Sequence, residues 1–443
     1  MAYAYEITSL IYHLKEIREK KSRMDSYQAD ISSLGLEYTA VIPVRNEEHN
    51  INYSLDSILC QTIPPKRIIV AEDKSTDNTR GVTYDLLTKR YSYRCKEERN
   101  SIENIDFIII KCENDKLPQV EIITPHIRLG KGRFINLLVE SGYISTPFFL
   151  NLDADTIIEP EYVEKIVRNT PILEDTTIAA VYGRLISLPE KDTILGKLLA
   201  RGRSISYLLS DIYLRFAGNI WNFHAYLRGP FVLFRTKAYK EVPRPLDNHS
   251  GDTAHAWELQ KKGYKILIEL SARGFTRDPS DIRGSLEQRI KWHGGFLENL
   301  YLRGYEVIKN IFNQSKKRGL AAFYTILYYG IISFKYQLTW GFIIPILSLL
   351  NYLSLSTTLI YYSIDFGAFF ILSLLAKSIL KRKYPDDPYS KRNIKEFLKD
   401  FLSFYFVFRP MVAVAFIYSY LKVLKDIIIA KIKRKKPEWF LYT

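Results

Sequence analysis

Cysteine, methionine and tryptophan are scarce: the 443 residues hold 3, 3 and 5 of them. Cys60, Cys95 and Cys112 lie far apart and are odd in number. They suggest neither a disulfide framework nor a metal knuckle and fit a reducing compartment. The N-terminus has no apolar core of signal-peptide length, so the catalytic part is not expected to be secreted. Zinc-finger spacings and a helix-turn-helix signature are also missing, which argues against nucleic acid as a partner. Acids are outnumbered, 48 against 63 basic residues, giving a formal charge of +15. Much of that excess flanks apolar runs near the C-terminus, in Lys381, Arg382 and Lys383 and again in Lys433, Arg434, Lys435 and Lys436. This placement favours a membrane surface.

A hydrophobic content of 47% is enough for one large core or two ordinary ones. From Tyr38 onward, strand-like and helix-like segments alternate, the pattern of an α/β domain with a mostly parallel sheet. Strands are expected near 38–44, 66–72, 119–124, 146–152, 177–187, 229–235 and 264–270. Helices are expected near 47–59, 77–89, 130–142, 159–169 and 252–262. A charged insertion, 91–117, carries the apolar run Phe107–Ile110 and suggests no role. Ile194, Leu198, Ile205, Leu209, Ile212 and Phe216 form a helical stripe, for which core packing is the expectation. Residues 1–37 are expected to form an amphipathic helical segment, from the helical spacing of Ile7, Leu10, Ile11, Leu14 and Ile17, either interfacial or packed on the domain.

Composition changes near Gly319. No charge interrupts the 29 residues from Tyr336 to Ile364, long enough to enter a bilayer about 30 Å thick at about 1.5 Å per residue. Leu359–Ala376 reads as a second span, with 354–358 as a polar turn, and Ala321–Phe334 as interfacial. The segment 401–421 holds Arg409-Pro410 at its centre and is read as re-entrant, interfacial or a kinked hairpin. Basic residues place the 381–399 loop and the 431–436 tail on the cytoplasmic side. Asp365 is expected to face protein or water. The resulting division is 1–37, a catalytic domain 38–295, interfacial helices 296–335, and transmembrane helices with a basic tail 336–443.

Chemistry concentrates at strand ends. The run Phe148–Leu152 leads into Asp153 and Asp155, which alternate so as to face one way, and paired hard oxygen ligands suit a divalent ion held against phosphate. The first strand ends at Pro43-Val44-Arg45-Asn46-Glu47 and the second at Glu72-Asp73. Ligands of open parallel sheets bind beyond the carboxyl ends of strands, so Glu47, Asp73 and Asp153 are expected to converge.

The strings VIPVRNEE (41–48), VAEDKSTDNT (70–79), LGKGRFINLL (129–138) and FLNLDADTIIEPEYV (149–163) resemble, in order and spacing, the nucleotide-sugar-binding half of family 2 glycosyltransferases. HSGDTAHAWELQKKGYKI (249–266) and LEQRIKWHGG (286–295) are similar to the TED and QxxRW motifs of the membrane-bound branch that includes cellulose, chitin and hyaluronan synthases. The resemblance covers 38–295 and the plan of a membrane tail. It implies a GT-A type, Rossmann-like sheet followed by C-terminal interfacial and transmembrane helices. It further implies a donor site of Pro43, Glu47, Asp73, Lys131 and Asp153, with Glu47 and Asp73 on the base and Asp153 on the ribose side. Asp155, with Asp153, would ligate Mg²⁺ or Mn²⁺, and Asp252 would be the general base. Gly229, Gln288, Arg289, Lys291 and Trp292 would form the diphosphate and acceptor platform.

Three departures qualify the match. Gly251 stands where many relatives have Glu before the catalytic Asp. Lys291 replaces the Arg of QxxRW, supplying charge without a planar fork, so Arg289 is a candidate to take over the diphosphate. No spans precede the catalytic domain, which puts a single-chain polymer channel in doubt. The implied enzyme is a membrane-attached, metal-dependent inverting transferase with a cytoplasmic catalytic domain. Its donor would be a nucleotide sugar, with UDP-sugar leading, and its acceptor a growing polysaccharide or a membrane lipid. Several copies of the chain or a partner membrane protein would complete a channel. The competing reading is an inactive transferase-like scaffold.

Overall fold

The computed structural model describes residues 35–433 together with Pro437. The expected N-terminal amphipathic helix and most of the basic tail lie outside the described residues. Ten strands form one sheet: β1 (Tyr38–Val44), β2 (Arg67–Glu72), β3 (Arg94–Ile102), β4 (Ile105–Glu113), β5 (Gln119–Pro125), β6 (Phe148–Leu152), β7 (Thr156–Ile158), β8 (Ile178–Pro189), β9 (Phe231–Arg235) and β10 (Lys265–Asp278). Their order is β3-β4-β5-β2-β1-β6-β9-β8-β10-β7. The stretch β5-β2-β1-β6 is parallel, as its unbroken apolar strands predict. Beyond it β9 runs antiparallel to both β6 and β8, so the sheet as a whole is mixed. Apolar side chains cover both faces, with Val41, Ile69 and Phe149 packing on one side and Ile42, Val70 and Leu150 on the other. That two-sided burial is why these strands read as continuous hydrophobic runs.

The 91–117 insertion is a hairpin that extends the sheet. Glu103 and Asn104 take positive φ, 48° and 63°, in a two-residue turn whose twist suits antiparallel strands. The turn sets Cys95 opposite Cys112, and the two form a disulfide while Cys60 stays free and exposed. This corrects the expectation of three unpaired cysteines: a separation of 17 in sequence vanishes once the hairpin closes.

The helical stripe after β8 packs inward, with Ile205 and Ile212 fully buried, while Ile194 at its start is exposed. A single helix, Ile282–Gln314, runs through position 295 without a break. Among the described residues, three helices are long and apolar enough to cross a membrane: Lys316–Leu349, Leu355–Lys383 and Ile394–Ile432. The first corrects two expectations. Ala321–Phe334 is part of the same long helix rather than a separate interfacial piece, and the uncharged run from Tyr336 straddles the turn before Leu355. Hydrophobicity alone does not locate a turn made of Asn351, Tyr352 and Leu353. The third helix is unbroken, which removes the hairpin reading of 401–421. A wider turn at Phe404–Phe408 accommodates Pro410, which has no N–H to donate.

The three differ in what covers them. The most apolar windows of the first two are 11% buried within the protein, against 56% for the third. The third packs on the catalytic part: Ser419 Oγ donates to the Ile290 carbonyl at 3.2 Å, and Phe416 lies against His293. Asp365 faces protein, as expected, accepting from Tyr405 at 2.7 Å and pairing with Arg409 at 2.5 Å. Because apolar insertion survives charge screening, the chain is expected to stay with bilayers through high-salt and carbonate washes. Sedimentation of washed membranes checks this; release into the supernatant would contradict it.

The loop after the second apolar helix is fastened to the sheet. Asp387 pairs with Arg184 of β8 at 2.7 Å, both side chains 1% exposed, and Arg273 of β10 lies 3.8 Å from the same carboxylate. Asp387→Ala would leave Arg184 buried and unpaired, and is expected to destabilise the fold by about 3–5 kcal/mol. A thermal midpoint in detergent indistinguishable from the parent would refute this.

Candidate active site

Strand ends and the loops after them build the site. At the end of β1, Pro43 is half-buried and Asn46 turns the chain at φ 56°. The Glu47 amide then donates to Thr79 Oγ1 at 2.8 Å, and Asn50 donates to the Glu47 carboxylate at 2.8 Å. At the end of β2, Asp73 accepts from the backbone amides of Leu129 and Gly130 at 2.7 and 2.8 Å. It therefore shapes the loop that launches helix Lys131–Glu140. Gly130 has φ 79°, a conformation that glycine adopts without strain. The turn directs Lys131 across the sheet edge, where its ammonium pairs with Asp153 Oδ1.

Asp153 and Asp155 follow β6 in a loop held from two sides. Ser54 donates to the Ala154 carbonyl at 2.6 Å, and the Asp153 amide donates to the Pro230 carbonyl at 2.7 Å. The second of these contacts ties the acidic loop directly to the segment that precedes β9. Burial, then the neighbouring Asp153 and Glu47, pushes the Asp155 carboxyl up to about 7. Burial likewise raises Glu47, against the hydrogen bond from Asn50. Carboxylates that raise one another's proton affinity at a sheet edge form a field that a divalent cation would neutralise. Two hard oxygen donors are too few for an all-protein cage, and no group of three or more such ligands occurs among the described residues. That donor set fits Mg²⁺ or Mn²⁺, which are typically held by one or two carboxylates plus substrate phosphate.

Asp252 lies in the first turn of helix Gly251–Lys261. A Cβ on Gly229 would lie 2.1 Å from Asp252 Oδ2, so a side chain there would displace the carboxylate. The Gly229 carbonyl in turn accepts from Asn151 of β6 at 2.9 Å. Asp252, Gly229, Asn151 and Arg244 thus line one small cavity beside the acidic loop. Arg244 pairs with Asp252 Oδ1 at 2.7 Å.

The expected platform divides. Gln288 reaches Asp278 at 3.4 Å, and Trp292 is 41% exposed with the Arg289 guanidinium 4.7 Å from its ring. Arg289 itself turns inward, between Trp292 and the rings of Tyr207 and Phe408, and burial lowers its proton affinity. Lys291 is exposed. His255 is buried and His293 half-buried, and loss of solvent around the rings takes them down to about 4 and about 3, so both stay neutral.

Two site residues were not among those expected from the sequence. Arg277 of β10 donates to Asn50 Oδ1 at 3.1 Å, lies 4.3 Å over the Tyr53 ring, and its amide meets the Asp155 carbonyl at 3.3 Å. It brings a cation beside the acidic loop, and only the pairing of β10 with β7 puts it there. Arg244 had one sequence signal, the glycine at 251 that leaves it room.

Residues 148–378 match the model of glycosyl transferase family group 2, and residues 39–115 that of glycosyl transferase family 2. The chain is 26% identical over 372 residues to a poly-beta-1,6-N-acetyl-D-glucosamine synthase of Staphylococcus epidermidis, covering 81% of this chain and 77% of that one. The synthase of the same name from Staphylococcus aureus strain COL is 25% identical over 324 residues, covering 73% and 67%. Among solved structures, the mannosyltransferase PcManGT from Pyrobaculum calidifontis, in complex with GDP-Man and Mn²⁺, aligns over 87% of this chain and 97% of that one. Its TM-score is 0.49 at 15% identity. The family-group match alone spans more than half of the 443 residues and takes in the acidic loop, Asp252, the first apolar helix and most of the second. The chain belongs to glycosyl transferase family group 2 and is a glycosyltransferase.

Proposed function

We propose that this enzyme transfers N-acetylglucosamine from UDP-N-acetylglucosamine to a growing polysaccharide at the cytoplasmic face of a membrane. The observation that carries the reading is the meeting of Lys131, Asp153 and Asp155 at the end of β6 with Asp252 over Gly229. Two relatives named for poly-beta-1,6-N-acetyl-D-glucosamine synthesis, matched over most of their length, supply the sugar and the polymer.

In this reading Glu47 and the loop fixed by Asp73 receive the uracil and ribose, and Lys131 and Arg277 face the diphosphate. Asp153 and Asp155 would hold Mg²⁺ or Mn²⁺, which when bound offsets charge on the departing diphosphate. Asp252 takes the proton of an acceptor hydroxyl as its oxygen bonds to the anomeric carbon. The bond from that carbon to the diphosphate oxygen breaks in the same displacement, the electron pair leaves with UDP, and the anomeric configuration inverts. Trp292, exposed beside Arg289, offers a ring face to the acceptor sugar. The first two apolar helices enter the membrane and the third packs against both the second of them and the catalytic part, which keeps the 384–393 loop with the catalytic domain.

Membranes containing the protein, given labelled UDP-N-acetylglucosamine in excess, are expected to release UDP and to form long chains early, beside unused acceptor. Sizing of the product checks this. A product one sugar longer than a lipid acceptor, with no larger species at any time, would replace the polymer reading with single transfer to lipid.

A further inference from the structure

Arg244 lies between helix Thr236–Glu241 and helix Gly251–Lys261, and its main chain is clamped to the helix that begins at Lys131. Asn136 Oδ1 accepts from the Arg244 amide at 3.2 Å, and Asn136 Nδ2 donates to the Arg244 carbonyl at 2.9 Å. The side chain then folds back along Gly251, where a Cβ would meet its Nε at 2.5 Å. It ends on Asp252 Oδ1 at 2.7 Å, with the guanidinium 16% and the carboxylate 33% exposed. The other carboxylate oxygen, Oδ2, stands over Gly229.

The two oxygens of Asp252 therefore have different surroundings. One is held by a cation that Asn136 keeps in place, and the other is directed over a residue with no side chain. The remaining polar groups lining the cavity are Asn151 from β6, Tyr239 from helix Thr236–Glu241 and His255 from the helix of Asp252 itself. None of these carries a charge near neutral pH, so Arg244 is the one formal charge facing Asp252 among the residues lining this cavity. We propose that Arg244 is the positioning residue of the catalytic base. It fixes Oδ1 so that Oδ2 meets the acceptor hydroxyl, and it occupies the space that Gly251 leaves beside Asp252. The inference rests on the reading of Asp252 as the base. A guanidinium suits the task because its planar fork holds a carboxylate against rotation.

The test uses the full chain in membranes or detergent, with UDP-N-acetylglucosamine as the probe, measuring donor binding, kcat and KM. Arg244→Gln is expected to lower kcat at least ~10-fold with donor binding unchanged. The KM for donor should stay at the parent value, because the donor-side groups Lys131, Asp153 and Asp155 are held by other contacts. Arg244→Lys, which keeps the charge without the planar fork, should recover only part of the lost kcat, again with donor binding unchanged. Gly251→Ala leaves Arg244 in the chain but pushes it aside, and should lower kcat as Arg244→Gln does. Donor binding equal to that of the parent shows that each variant is folded. An unchanged kcat in Arg244→Gln, or a kcat that falls together with donor binding, would overturn the proposal. An active Asp252→Asn enzyme would instead remove the base reading itself, so the two failures are distinguishable.

Discussion

An Asp252→Asn enzyme is expected to bind UDP-N-acetylglucosamine as the parent does and to turn over at least ~10²-fold more slowly, the scale of losing a general base. The amide keeps the volume of the carboxylate, so the close fit over Gly229 survives. What it loses is the ability to accept a proton and the charge opposite Arg244. The donor-side groups Lys131, Asp153 and Asp155 are held by other contacts and should bind as before. Turnover and donor affinity measured on the same preparation check this. Equal losses in both would mean that Asp252 belongs to the donor site or to the scaffold.

Asp155→Asn should fail in another way. Here the loss is of a hard anionic oxygen, and a neutral amide is a poor substitute for a small divalent cation. The Mn²⁺ concentration for half-maximal activity is expected to rise by at least the roughly 10–100-fold that loss of an outer-shell partner costs. Turnover at limiting Mn²⁺ should be nearly abolished. Titration of activity with Mn²⁺, together with direct Mn²⁺ binding, provides the measurement. Undiminished turnover at limiting Mn²⁺ would remove Asp155 from the metal site.

The donor half of the site is legible because its signals are local. Asp153 and Asp155 follow an apolar strand, Lys131 follows a glycine, and each announces itself within a few residues. Arg277 and Arg244 are legible only in three dimensions. The first is an ordinary residue in a 14-residue strand, and its nearness to Asp155 depends on which strand lies beside β7. The second pairs with its neighbour across Gly251, where the sequence shows a missing side chain but not what fills its place. The hairpin in the insertion is hidden for a similar reason. Its alternating charges conceal the strand character of Arg94–Ile102, while the signal lies in Asn104 at the turn. The apolar helices are legible in place but not in number or extent, since composition shows where lipid-compatible residues lie but not where a helix turns.

The pairing of Arg184 with Asp387 also sets an order of events during synthesis. The two residues are 203 positions apart, and both apolar helices that precede the loop lie between them. At about 5–20 residues per second, roughly 10–40 s separate the emergence of Arg184 from that of its partner. Through that interval β8 holds a cation that has no acid of the finished loop to bury against, so the sheet cannot close completely around it. Completion of the soluble half therefore waits on delivery of the membrane half, and a nascent chain halted before Asp387 exposes an unfinished strand to chaperones rather than a dormant enzyme.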